Sequence, residues 1–390
     1  MTYSYYIPSP TYSYVENLVV GTQASRRSVR SPGRCGPVHI RRRAMAAPVR
    51  DIPVVEIGPL VRGARLGDVT ASAAELETAV CLDNAARGAG FFYITGHEVP
   101  AESISGALNA SERLFALPDG VKLSLRARGG EGAGYEPSGA QKLDEGRLGE
   151  MLELGDGVDG ESGGDQKESY IAGNMTGNCG VLDAQWPPTL DGFEEAVTRY
   201  HADCRVVAAA IMRGFAIALG LTPDRFAKDI DDPFTKLRLL RYPEKTTRSD
   251  VSGHYDGGLV GCGAHTDWGA LTLLIQDDVG GLEVCAPTAD KDGCPVWMPA
   301  DPRDGSILAN VGDMLFRWTN GRYRSAPHRV LEPKRGGKDR YSVAFFLNCN
   351  ADAVVDAAEL GLVKDAESAK WPPITAMGYI KERVAATYSE

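Results

Sequence analysis

Three side chains in the second half of the chain have the types and spacing of a metal site. His265 and Asp267 stand two apart in His265-Thr266-Asp267, and His328 is the only histidine that follows. On extended backbone, residues i and i+2 point to the same side, so this imidazole and carboxylate can reach one ion. Two imidazoles and one carboxylate are the donor set of a non-haem ferrous site with open positions for O2 and a co-substrate. A later run, Arg340-Tyr341-Ser342, repeats the two-residue spacing and leads into the apolar Val343-Ala344-Phe345-Phe346. A guanidinium offers a planar fork to a carboxylate, and a hydroxyl beside it adds one more hydrogen bond. A buried arginine needs an anionic partner, and the far end of a bound dicarboxylate would supply one.

A lone His-x-Asp is weak evidence. The chain holds a second, His254-Tyr255-Asp256, in a Gly-rich segment with no strand after it. The 265/267 pair leads into the apolar Leu271–Gln276 run, so its side chains are expected at a barrel mouth; His254 reads as a loop residue. Gly160-Glu161-Ser162-Gly163-Gly164 matches a nucleophile elbow, but no apolar strand precedes it, so that reading is rejected. Zinc hydrolysis would need an adjacent general base, and none is evident.

The sequence around these residues resembles the 2-oxoglutarate/Fe(II)-dependent dioxygenases of the isopenicillin-N-synthase-like branch. The likeness runs through His265-Thr266-Asp267-Trp268-Gly269, Leu271 to Asp277, Gly280-Gly281-Leu282, Asn310-Val311-Gly312-Asp313-Met314, Trp318 to Tyr323 and His328-Arg329-Val330, with Arg340-x-Ser342 following in place. It implies an α+β fold with a mainly β core, a double-stranded β-helix or jelly-roll barrel with supporting N-terminal helices. It implies Fe(II) on His265, Asp267 and His328, and 2-oxoglutarate anchored by Arg340 and Ser342. Tyr242 matches a family tyrosine that bonds the same carboxylate; a packed strand aromatic is the alternative. Many plant relatives carry Asn where this chain has Leu240, so that contact is absent. Ascorbate is a further implied accessory. The implied reaction takes a small-molecule substrate, O2 and 2-oxoglutarate to a hydroxylated, desaturated or cyclised product, succinate and CO2. Two rivals stay open: an oxidase of the same fold that needs no 2-oxoglutarate, and a catalytically idle binding barrel. Gly134-Tyr135 and Lys167-Glu168-Ser169-Tyr170 also match the family, without a separate physical account. The Leu-Arg-Leu-Leu-x-Tyr-Pro form at 237–243 and Ala385-Ala386-Thr387-Tyr388 look closer to the fungal thymine-hydroxylase-like members than to the plant relatives, a hint about branch and not about substrate.

The elements that must position these residues can be read from the pattern. Residues 51–57 and 88–94 read as strands, and 71–88 and 101–117 as helices, the first with Leu76, Val80, Leu82 and Ala86 on its apolar side. Residues 128–168, rich in Gly, Asp and Glu, read as a long surface loop. Over 190–221, Phe193, Val197, Tyr200, Cys204, Val207, Ile211 and Phe215 form a helical stripe, which puts His201 on the polar side. From about 235 the period shortens to strands at 235–242, 271–276, 282–286, 306–311 and 340–348, broken by turn signals; many short strands imply a sandwich or barrel. A closing helix is expected over 372–388. Trp268, Phe316 and Phe345 are aromatic positions for a pocket wall or for plain packing.

Length and charge bound the rest. The 390 residues carry a net charge of −10, which disfavours nucleic acid or an anionic membrane as partner. No apolar run reaches a membrane span. Eight scattered cysteines without Cys-x-x-Cys read as reduced, mostly small buried side chains in a cytoplasmic monomer. Residues 1–50 hold eight arginines and one acid, Glu16. They read as a disordered extension, or as an upstream start with Met45 the natural one, with an organelle transit peptide as the alternative. The expected organisation is then 1–50 extension, 51–225 N-terminal α/β region, and 226–390 catalytic core with its C-terminal helix.

Overall fold

The computed structural model describes residues 51–126, 133–140, 165–174, 184–244, 260–290, 294–333, 337–364 and 368–387. It begins with β1 (Val54–Glu56), α1 (Gly58–Leu66), α2 (Ala73–Arg87), β2 (Phe91–Thr95), α3 (Ala101–Phe115), α4 (Asp119–Ser124), β3 (Gly134–Glu136), β4 (Glu168–Asn174) and α5 (Phe193–Ala218). There follow β5 (Thr235–Tyr242), β6 (Val260–His265), β7 (Leu271–Gln276), β8 (Leu282–Cys285), β9 (Trp297–Pro299), β10 (Ile307–Val311), α6 (Asp313–Trp318), β11 (His328–Leu331) and β12 (Arg340–Leu347). A two-residue pair, β13 (Val354–Val355) and β14 (Ile374–Thr375), precedes the last helix, α7 (Ala376–Thr387).

The strands form an eight-stranded sheet, β1-β2-β10-β7-β12-β5-β4-β3, and a four-stranded sheet, β6-β11-β8-β9. All pairings are antiparallel except β1 with β2. This is the expected jelly roll, α+β with a mainly β core. Strand alternation divides the apolar residues into two cores. Leu237, Leu239, Leu271, Leu273, Val343 and Phe345 face a layer of helices. Leu240, Tyr242, Cys262, Val284, Val330 and Ala344 face inward, where the sheets meet. Strands from both the N-terminal and C-terminal regions share the large sheet.

The helix layer is organised by α5, which packs on α1, α2, α3 and on β7 and β12. Its predicted stripe is buried throughout. His201 does not lie on a polar side: it is buried, its Nε2 is 2.8 Å from Thr235 Oγ1, and its ring sits edge-on to Phe345. A helix enclosed by helices on one side and a sheet on the other has little polar face left. In α2 the expected stripe is rotated. Leu82, Ala79 and Ala86 are buried, whereas Leu76 and Val80 are about half exposed, at 51% and 60%. The rotation follows from its start, where Ser72 and Glu75 form a reciprocal capping box and the buried Glu75 carboxylate also takes Arg213 Nε of α5 at 2.7 Å. That ion pair fixes which side of α2 faces α5.

The segment read as one surface loop contains structure at both ends. Gly134–Glu136 is β3, and Glu168 opens β4 as an inner strand of the large sheet. Among the cysteines, Cys204, Cys262, Cys285 and Cys349 are buried as expected, while Cys81 and Cys294 are exposed. His254 and Gly160–Gly164 lie outside the described residues. Among the described residues, no helix is long and apolar enough to cross a membrane.

Candidate active site

Register brings the two histidines together. In the β6–β11 ladder, His265 is the direct partner of His328, so their side chains leave one face of the small sheet side by side. Their ring centroids are 4.3 Å apart, and Phe91 from β2 packs edge-on against His328. Asp267 follows two residues after His265, in the turn between the sheets. Its Oδ1 is 4.0 Å from His265 Nε2 and 3.8 Å from His328 Nε2. Among the described residues these three alone form a cluster able to hold a metal, with ligand atoms within 4.8 Å of one another.

Each donor atom is aimed by a partner behind it. His265 Nδ1 faces Gly263 O at 2.8 Å, and His328 Nδ1 faces Ala326 O at 3.1 Å. A carbonyl accepts only, so both Nδ1 carry the proton and both Nε2 present lone pairs. Asp267 Oδ2 accepts from Thr272 Oγ1 at 2.6 Å and from Asn310 Nδ2 at 2.7 Å, leaving Oδ1 for the imidazoles. Thr272 and Asn310 are themselves cross-strand partners in β7 and β10. Burial pushes His265 below its ordinary value, and burial with the neighbouring His265 pushes His328 down to about 4. Burial alone would raise the Asp267 carboxyl. The two imidazoles, Thr272 and Asn310 outweigh it and hold the group below the usual carboxylate range. Neutral imidazoles beside an ionised carboxylate are the protonation states a divalent cation needs.

The turn carrying Asp267 is latched to the start of α6. Asp313 N donates to Asp267 O at 2.7 Å, and Met314 N donates to Gly269 O at 3.0 Å. A Cβ on Gly312 would lie 2.2 Å from Gly269 O, so only glycine lets the two segments close. The buried Asp313 carboxylate gathers Ser325 Oγ at 2.7 Å, Tyr379 OH of α7 at 2.8 Å and Thr266 Oγ1 at 3.3 Å. In the sequence, Asn310-Val311-Gly312-Asp313 stands out only as a family likeness, with no task for any of these residues.

A second anchor lies deeper. Arg340 is 1% exposed and sits opposite Tyr242 across β12 and β5. Its Nη1 donates to Ser342 Oγ at 3.2 Å, its Nη2 to Gln276 Oε1 at 2.8 Å, and its Nε has no partner. Among the described residues no carboxylate is in ion-pair contact with it; the Asp277 carboxylate, which accepts from Tyr341 N, feels its charge from further off. The guanidinium lies 4.9 Å from the centre of the Tyr242 ring. Burial pushes the Tyr242 phenol above its ordinary value, so it is neutral and able to donate. A buried cation with an unused donor fits an anionic ligand, and its fork fits a carboxylate.

One cavity of about 620 Å³ joins the parts. His265, Asp267 and His328 line it, as do Arg340, Ser342 and Tyr242. Thus the six residues singled out in the sequence share one chamber. Leu240 lines it as an apolar side chain, as expected. Trp268 is on the wall; Phe345 is in the helix-side core and Phe316 packs on Trp371. The outer wall adds Glu136, Lys236 and Arg238, and α7 closes it with Met377, Ile380, Lys381 and Val384.

The chain resembles known proteins over most of its length. Residues 234–348 match the 2OG-Fe(II) oxygenase superfamily, and residues 52–174 match the N-terminal region described as non-haem dioxygenase in morphine synthesis. The chain is 34% identical to a homoarginine-6-hydroxylase of Glycine max over 318 residues, covering 80% of this chain and 89% of that protein. It is 32% identical to a 2-oxoglutarate-Fe(II) type oxidoreductase of Emericella nidulans, covering 77% of this chain and 81% of that one. Among solved structures, a full-length Neurospora crassa protein in complex with alpha-KG superposes with a TM-score of 0.71 at 30% identity, over 86% of this chain and 96% of that one.

Proposed function

The chain belongs to the 2OG-Fe(II) oxygenase superfamily, and from that membership we propose that His265, Asp267 and His328 hold its iron while Arg340, Ser342 and Tyr242 hold the far carboxylate of 2-oxoglutarate. The protein is a 2-oxoglutarate-dependent dioxygenase that hydroxylates a small molecule. Bound ferrous iron supplies the activation of O2 that couples conversion of 2-oxoglutarate to succinate and CO2 with oxidation of the substrate. The chain's own residues do the rest. Gly263 and Ala326 carbonyls fix the imidazole tautomers, and Thr272 and Asn310 fix which Asp267 oxygen is presented.

One observation carries the assignment of residues: two neutral imidazoles and one ionised carboxylate converge in a cavity whose far end holds a buried arginine with an unused N–H. Because Lys236 and Lys381 line the outer wall together with Ile171, Phe234, Phe346 and Met377, the proposed substrate is a small molecule with both polar and apolar parts. With a net charge of −10, the enzyme is proposed to act as a monomer without nucleic acid or membrane partners.

Anaerobic Fe(II) with 2-oxoglutarate should give the wild-type chain a weak visible charge-transfer band and, in air, succinate. His265→Ala should lose iron binding and the band together. Retention of both in His265→Ala would move the metal elsewhere.

A further inference from the structure

The run Asp165-Gln166-Lys167-Glu168-Ser169 precedes and opens β4, and alternation splits its side chains between two environments. Glu168 turns away from the cavity and collects Lys122 Nζ at 2.8 Å, Tyr135 OH and Arg241 Nη1. Asp165 and Lys167 turn inward and cross to the other sheet. Asp165 Oδ1 accepts from Gly263 N of β6 at 3.1 Å, and Gly263 O is the acceptor that fixes His265 Nδ1. Lys167 Nζ bonds Asp165 Oδ2 and lies 3.2 Å from Cys262 Sγ, three residues before His265. The Lys167 side chain is only 3% exposed, yet it lines the cavity. An ammonium has three N–H donors, and these contacts use two.

We propose that Lys167 is a carboxylate-binding residue beside the metal site, its remaining donor taking the keto-acid carboxylate of 2-oxoglutarate. The proposal rests on the co-substrate reading of this cavity. Arg340 lies against Tyr242. Lys167 lies against Cys262, three residues before His265 on β6, and lines the same cavity as the three proposed iron ligands. Between them the inner row of β5 offers Leu240, which has no side-chain donor. A carboxylate oxygen not on the metal would otherwise be buried without a partner, at a cost a charged donor removes.

The competing role is a staple between the two sheets, with Asp165 and Lys167 equal members. Wild type, Lys167→Met and Asp165→Asn are titrated anaerobically with Fe(II) and then 2-oxoglutarate, reading the charge-transfer band and the thermal midpoint. Lys167→Met is expected to weaken 2-oxoglutarate binding by about tenfold or more, with iron affinity kept. Asp165→Asn, which keeps the ammonium, is expected to weaken it far less. Lys167→Gln serves where Met does not fold, and Lys167→Arg should restore part of the affinity. Equal 2-oxoglutarate affinity in wild type and both Lys167 variants overturns the proposal and leaves the staple. So does a rise confined to the KM of the organic substrate, which would make that molecule the source of the carboxylate. A wild-type chain that binds iron but no 2-oxoglutarate overturns the underlying co-substrate reading as well.

Discussion

At the scale of single residues, Arg340 shows how chemistry and position combine. Its charge is buried with no carboxylate in ion-pair contact among the described residues, Asp277 being a more distant counter-charge, and its fork already spends one arm on Ser342 and one on Gln276. Lysine at this position would keep the charge but lose the planar geometry. Arg340→Lys should therefore raise the KM for 2-oxoglutarate by about tenfold or more, with iron affinity unchanged; a succinate assay over a 2-oxoglutarate series reads it, and an unchanged KM would remove Arg340 from the anchor. Four of the six proposed site residues, the 265/267 and 340/342 pairs, stand out in the sequence because donor type and two-residue spacing are local facts; His328 and Tyr242 rest on position and family likeness. The residues that support them do not stand out. Nothing in the spacing of Thr272, Asn310 and Asp313 shows that two of them hold one oxygen of Asp267 while the third clamps its turn: Thr272 is five residues on, but Asn310 is 43 residues away, beyond β7, β8 and β9, and Asp313 lies further still. Lys167 was visible only as part of a likeness, since the sheet it reaches is nearly a hundred residues further on.

Elements of strong period were readable and short ones were not. Strands β5 and β7 fall where alternation and apolar content place them, at 235–242 and 271–276. Strands β6 and β11, which carry both histidines, are six and four residues long, and the first contains two glycines, so local propensity is silent and pairing alone defines them. His201 was misplaced because a single-face stripe cannot reveal that a helix is covered on its other side too. Its burial has a consequence for pH. The folded chain pushes His201 down to about 4, against an ordinary value of about 6.5 when unfolded. The unfolded chain thus binds the proton first as pH falls. The stability that neutral His201 contributes is complete above pH 6.5 and is lost on descending toward 4. At pH 5 the loss is about 2 kcal/mol. His201→Gln keeps a partner for Thr235 but cannot titrate. Urea midpoints should show the variant less stable than wild type at pH 7.5, with the gap narrowing at pH 5; a constant gap would mean that His201 does not titrate in this window. In the turn at the site, Gly312→Ala should push the Asp267 segment away from α6, lowering both the thermal midpoint and iron affinity.

For the molecule as a whole, one cavity is lined both by the proposed iron and co-substrate residues and by α7, where the proposed substrate would lie. The inner wall is built from paired strands and satisfied hydrogen bonds. The outer wall is closed by a single helix, with Met377, Ile380, Lys381 and Val384 facing the space. That helix is tied to the site through Tyr379 and Asp313, whose carboxylate also holds Thr266 between two proposed iron ligands. Substrate shape can therefore be altered from α7 without touching a metal contact. Val384 is part-buried on the cavity side, so a larger side chain there would intrude on the substrate end rather than on the packed core. Val384→Trp should leave the Fe(II)/2-oxoglutarate charge-transfer band and the slow succinate release without substrate close to wild type. With the organic substrate present, it should lower product formed per succinate severalfold, because 2-oxoglutarate turnover no longer has a well-seated carbon to oxidise. If the variant instead lost the absorption band, the two ends of the cavity would be mechanically joined through Tyr379, and α7 would belong to the iron site as much as to the substrate wall.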